Sequence, residues 1–213
     1  MTTRTDVPLA LTMGDPAGIG PELAIAIWCH RHTNRCPAFA LLADPDLIKA
    51  RAADVGLIAP VALIATASEA AAVFDAALPV LPIPLSTTSV AGKPDPANAT
   101  AVIRAIDQAV SAVANGQASA VVTNPIAKSV LYAAGFSHPG HTEYLAELTR
   151  RHWPEQPATP VMMLASSELK VVPLTIHVPL HTVPTLITPD LIMHTVRIMH
   201  HALQSDFGYD RPR

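Results

Sequence analysis

Ala120-Val121-Val122-Thr123-Asn124-Pro125-Ile126-Ala127-Lys128 is an apolar, strand-like run that breaks into a polar turn ending in a lysine. Downstream comes Pro139-Gly140-His141-Thr142-Glu143, which sets a histidine and a hydroxyl side by side at the start of a predicted helix. A strand that feeds a polar turn and then a helix is the unit of α/β folds, which gather polar side chains beyond strand ends. Backbone N–H groups at a helix start attract negative charge, and Lys128 and His141 add to that field. The two segments together predict a site for an anionic substrate. Thr142 as a plain N-cap and His141 as an ordinary loop histidine is the alternative reading of the same residues.

Away from these segments, short apolar runs alternate with amphipathic helices, which predicts an α/β fold with a largely parallel sheet and flanking helices. The strand candidates are Pro8–Met13, Ala38–Leu42, Val61–Ala65, Ser119–Thr123, Val161–Ala165 and Lys170–Ile176. One helix is opened by Asp95 and Pro96, presents Val102, Ile106, Ala109 and Val113 on one face, and stops at Asn115-Gly116. Another is opened by Thr188-Pro189 and carries Ile192, Val196, Met199 and Leu203 at helical spacing. Both stripes are read as core contacts. Pro79, Pro82 and Pro84, followed by Ser86-Thr87-Thr88-Ser89 and Gly92-Lys93-Pro94, read as a connecting loop and a hinge between lobes.

The composition narrows the class. Of the 213 residues 50% are hydrophobic and 15% charged, the balance of a globular chain able to bury a core. A formal charge of −3 without a run of Lys or Arg argues against a nucleic-acid partner. No apolar stretch reaches the ~18 residues of a membrane span, and no signal-peptide core is present near Met1, so the cytoplasm is the expected compartment. Cys29 and Cys36 match no zinc spacing and are expected to be free thiols. His30, His32, His152, His194, His200 and His201 are read as surface residues.

Two further segments are candidates to carry chemistry, each with a purely structural role as the alternative reading. Gly14-Asp15-Pro16-Ala17-Gly18-Ile19-Gly20 lies between a strand and a helix opened by Pro21-Glu22. Its glycine spacing is not that of the dinucleotide fingerprint, and no Gly-Lys-Ser/Thr follows to make a Walker loop. His177 follows the run Val171–Ile176 and is expected at a strand's C-terminal end, where open sheets place ligands. Pro179 separates it from His181, so the two do not form a helical metal-ligating pair.

Leu11-Thr12-Met13-Gly14-Asp15-Pro16-Ala17-Gly18-Ile19-Gly20-Pro21-Glu22, Thr123 to Lys128, Gly140-His141-Thr142-Glu143 and Thr175-Ile176-His177-Val178-Pro179-Leu180 occur in the order in which they stand in one enzyme family. On these motifs the chain resembles the 4-hydroxythreonine-4-phosphate dehydrogenases of pyridoxal phosphate biosynthesis. The resemblance implies a two-lobed fold like that of isocitrate and isopropylmalate dehydrogenases, with a first lobe over 1–124 and the start of a second over 125–213. It implies a homodimer that uses NAD and a divalent metal (Zn, Mg or Co) to oxidise 4-phosphooxy-L-threonine at C3, after which the β-keto acid loses carbon dioxide. By the same resemblance His177 is a metal ligand, His141 and Thr142 bind substrate, and His141 and Lys128 serve catalysis; the cofactor contacts stay unassigned. A metal at His177 would acidify the substrate hydroxyl. A sister activity on D-threonate or D-erythronate 4-phosphate is the alternative within the family. The family continues past the counterpart of Arg213 with an Asn-Pro-His-Ala-Gly segment, an Asp-His-Gly-Thr segment and much of the cofactor site. The fold of this chain is therefore expected to be incomplete at its C-terminus and the chain alone inactive, a non-catalytic fragment being the rival reading.

Overall fold

The computed structural model describes residues 7–138, 140–155 and 159–212. The chain divides into two compact units, residues 1–158 and 159–213. This division belongs to the chain as it stands and is distinct from the lobe boundary expected at 124.

The first unit opens with β1 (Leu9–Thr12), α1 (Gly20–Cys29), β2 (Phe39–Ala43), α2 (Pro45–Asp54), β3 (Val61–Leu63), α3 (Ala70–Val73) and β4 (Leu78–Pro82). It continues with α4 (Ala99–Ala114), β5 (Val121–Val122), α5 (Lys128–Ala133) and α6 (His141–His152). The five strands form one sheet in the order β3-β4-β2-β1-β5, and every pairing is parallel. β2 is buried at all of its positions, as a strand covered by helices on both faces must be. Its Leu41 and Leu42 pack with Ala10, Ile25, Trp28, Ile48, Val80 and Ala105 in the main core.

β4 corrects the loop expected from the proline cluster. Its pairing with β3 ends at Val80 and its pairing with β2 begins there. Pro79 therefore precedes the first β2 pair and Pro82 lies beyond the last β3 pair. The strand bonds instead through Leu78 N to the Pro60 carbonyl and Ile83 N to the Ala43 carbonyl, so neither proline costs the ladder a donor it needs.

The helix signals hold in detail. Asp95 accepts a hydrogen bond from Ala97 N at 2.9 Å and starts a single 3-10 turn that runs into α4. Val102, Ile106 and Ala109 are buried along one face. α4 stops at Asn115-Gly116, as its sequence requires.

The second unit contains the antiparallel pair β6 (Leu164–Ala165) and β7 (Lys170–Val171), then α7 (Val183–Leu186) and α8 (Pro189–Ser205). The strand expected over Lys170–Ile176 stops at Val171, because Pro173 has no N–H for a ladder and holds Val172 to extended backbone. Thr188 caps α8 as expected, accepting from Leu191 N at 3.1 Å. The α8 stripe is not a core face, however. Ile192 and Val196 are 38% and 42% exposed, and Thr195 is the helix's buried residue.

Candidate functional site

β1 and β5 are neighbours, so the turns that follow them meet beyond the C-terminal edge of the sheet. Asn124, buried two residues past β5, donates through Nδ2 to the Thr12 carbonyl at 2.9 Å. Asp15 N donates to the Pro125 carbonyl at 2.8 Å. Between these bonds the two segments touch backbone to backbone. A Cβ on Gly14 would stand 2.5 Å from the Pro125 oxygen, and one on Gly20 would stand 2.2 Å from the Met13 oxygen of its own segment and 2.9 Å from Asn124 Cβ across the contact. Gly14 also holds φ +71°, a conformation that side chains disfavour. The glycines therefore serve this close approach. Their Cβ positions are filled by protein rather than open to a pyrophosphate, so the loop does not fit a dinucleotide cradle.

The β5 turn delivers Lys128 to the start of α5, where its side chain is exposed. From there its Nζ reaches to within 3.4 Å of the point where a Gly140 side chain would begin, and Glu143 Oε2 lies 3.5 Å from the same point. Gly140 is the N-cap residue of α6, in extended conformation, and among the described residues no side-chain bond caps the helix. Among the described residues the first N–H groups of α6 are therefore without a side-chain cap, next to a lysine. Thr142 is exposed within this first turn and is not the cap. Pro139 lies outside the described residues.

His141 opens α6. Its Nε2 is buried and, among the described residues, has no hydrogen-bond partner. Desolvation, followed by the charge of Lys128, holds its pKa below the ordinary histidine value. The ring is therefore neutral at physiological pH and can accept a proton or a hydrogen bond. Asp15 and Pro16 from the glycine loop line one small cavity with Ala127, Val130 and Leu131, so loop and lysine-bearing helix face each other.

α6 is held in place by a pair that sequence reasoning missed. Tyr144 donates its hydroxyl to the Asp107 carboxylate on α4. Its ring meets Phe136 edge-on at 5.1 Å and His138 at 4.9 Å. Burial first, and then Asp107, push the Tyr144 phenol well above its ordinary pKa, so it remains a donor. Tyr144 at one turn from His141 was a readable signal; its partner 37 residues earlier was not.

The structure thus gathers Lys128, His141 and Thr142 at one helix start. His177 belongs to the second unit and does not end a strand. It is exposed on a turn at φ 56°, in the left-handed region, between Ile176 and Val178. Among the described residues no group of three or more His, Cys, Asp or Glu side chains is placed to hold a metal ion. His177 alone is one donor and does not make a metal centre.

Residues 34–213 match the family described as "Pyridoxal phosphate biosynthetic protein PdxA". A 4-hydroxythreonine-4-phosphate dehydrogenase of Methylorubrum extorquens is 52% identical over 210 residues, 98% of this chain and 60% of that protein. The one from Bradyrhizobium diazoefficiens is 49% identical, matching 100% of this chain and 63% of its own length. Among solved structures, a 4-hydroxythreonine-4-phosphate dehydrogenase from Klebsiella pneumoniae superposes with a TM-score of 0.83 at 28% identity, covering 97% of this chain and 62% of that one. One from Burkholderia phymatum gives 0.85 at 26% identity, covering 97% and 61%. The fold is the isocitrate/isopropylmalate dehydrogenase-like fold of these neighbours. The chain spans about 60% of the length of the relatives it matches. It belongs to the PdxA family of pyridoxal phosphate biosynthetic proteins.

Proposed function

We propose that the protein carrying this chain oxidises 4-phosphooxy-L-threonine at C3 with NAD and releases carbon dioxide to give 3-amino-2-oxopropyl phosphate, a step of pyridoxal phosphate biosynthesis. The observation that carries this reading is His141 Nε2, a buried polar atom without a partner beside Lys128 and an uncapped helix start. An unpaired buried polar atom costs about 1–3 kcal/mol, which a substrate oxygen would recover. The relatives' shared name specifies a phosphorylated hydroxy amino acid, and the site offers what such an anion needs.

In this reading Lys128 and the first N–H groups of α6 hold a negatively charged group of the substrate, and Thr142 adds a hydroxyl within the same turn. His141, kept neutral, hydrogen-bonds the substrate and can take the proton of the reacting hydroxyl. NAD, when bound, supplies the acceptor for the hydride that leaves C3. His177 is proposed as one ligand of a divalent metal whose other ligands lie outside this chain, and the chain alone is proposed to be inactive. A homodimer and a cytoplasmic location complete the reading. Among the described residues no helix is long and apolar enough to cross a membrane.

The test is NADH formation by the full-length protein. It is expected with 4-phosphooxy-L-threonine and expected to fall sharply with unphosphorylated 4-hydroxythreonine. Equal turnover of both would remove the anion site from the account.

A further inference from the structure

Arg51, in the last turn of α2, is 2% exposed, an unusual degree of burial for a cation. Its two terminal nitrogens are both engaged. Nη1 donates to Glu22 Oε1 at 2.6 Å, and Nη2 donates to the Pro16 carbonyl at 2.9 Å. The first partner lies in the opening turn of α1 and the second in the middle of the glycine loop. A cavity of about 500 Å³ borders Arg51, lined also by Asp44, Asp46, Asp54 and Ser89, and the two bonds from the guanidinium run to α1 and the glycine loop.

We infer that Arg51 is a positioning residue for the anion site, acting through Pro16 and Glu22 to fix the Gly14–Gly20 loop against the Asn124–Lys128 turn. The inference rests on the reading of Lys128 and His141 as that site. A planar guanidinium is suited to the task, since its rigid fork bonds two acceptors at a set angle, and burial strengthens both bonds. The chain of contacts is continuous. Arg51 holds Pro16; the adjacent Asp15 donates its N–H to the Pro125 carbonyl; Gly14 and Gly20 pack on Asn124; and three residues after Pro125 comes Lys128. Asp15 also accepts from Ala17 N at 2.8 Å, a further bond within the loop on either side of Pro16. Without Arg51 the loop has freedom to lift from the β5 turn, and Lys128 loses its fixed approach to Gly140.

The experiment compares Arg51→Met and Arg51→Lys with the unsubstituted full-length protein. Methionine fills similar space, and Glu22, whose side chain is 31% exposed, keeps water as a partner, so folding is expected to survive. For Arg51→Met the expectation is a KM for 4-phosphooxy-L-threonine raised roughly tenfold or more, with kcat within about threefold. Hydrogen exchange across residues 14–22 should quicken while that of 39–43 stays unchanged, and the NMR titration of His141 should move toward the ordinary histidine value. Arg51→Lys should recover part of the KM, since an ammonium can keep one of the two contacts. A fall in melting temperature with KM, loop exchange and His141 titration all unchanged would reduce Arg51 to a structural residue and overturn the inference. If the unsubstituted protein does not turn over this substrate, the proposed function fails, while exchange and the His141 titration still decide the role of Arg51.

Discussion

His141 is held below its ordinary pKa first by its own desolvation and then by Lys128, whose ammonium ends beside Gly140 at the start of the same helix. Both causes oppose a second positive charge on the ring. On the proposed reading, an imidazole kept neutral beside a lysine is matched to an anion that shares its proton.

The pH dependence follows from that direction. The unfolded chain takes up its His141 proton near 6.5, whereas the folded chain takes it up lower. Below neutral pH the unfolded state therefore binds more protons, and this group's contribution to stability falls as pH drops through the ordinary histidine range. Lys128→Met should bring the NMR-measured His141 pKa part of the way back up, leaving the share due to desolvation. A His141 pKa indifferent to Lys128 would break the pairing.

The contact between the glycine loop and the β5 turn makes a prediction with its own control. Gly14→Ala must strain a backbone at φ +71° and drive a methyl group toward the Pro125 oxygen, at a cost of about 1–3 kcal/mol or more. Gly18→Ala, whose Cβ would lie 3.4 Å from Asp15 in ordinary contact, should cost less than about 1 kcal/mol. Denaturant unfolding of the two variants measures the difference, and equal effects would contradict the close approach.

Tyr144→Phe keeps the ring contacts with Phe136 and His138 and deletes the bond to Asp107. A hydrogen bond to a charged acceptor is worth roughly 1.5–3 kcal/mol, and Asp107, being half-buried, recovers some of that from water. A loss of about 1.5 kcal/mol is expected from that range, accompanied by faster hydrogen exchange in the first turns of α6. Unchanged protection there would mean that the aromatic contacts alone hold the helix.

α8 presents Ile192, Met193 and Val196 to solvent, at 38%, 49% and 42% exposure. Apolar residues grouped on one helix face favour association. The 213-residue chain is therefore expected to be oligomeric or aggregation-prone in light scattering, and Ile192→Glu with Val196→Glu should shift it toward monomer with little change in melting temperature. A monodisperse monomer before substitution would contradict this.

The parallel sheet, the α4 boundaries and the meeting of Lys128 with His141 were legible because each depends on local signals: apolar runs, Asp-Pro and Thr-Pro helix starts, and a strand-to-turn order that α/β topology makes meaningful. β4 was hidden because Pro79 and Pro82 read as breakers until the register shows that they fall where no donor is needed. The strand before His177 was overread for the converse reason, since a continuous apolar run outweighed Pro173. Arg51 and Asp107 gave no signal at all. Their partners are 29 and 37 residues away in sequence, and such pairings are set by helix packing alone.

The most direct measurement is steady-state NADH formation from 4-phosphooxy-L-threonine by the full-length protein and its His141→Ala variant. Loss of a hydrogen bond to a charged group predicts a fall of about ten- to hundredfold in kcat/KM for the variant, with the affinity for NAD nearly unchanged. An unaltered kcat/KM, or an effect confined to NAD affinity, would contradict the assignment of the α6 start as the substrate site.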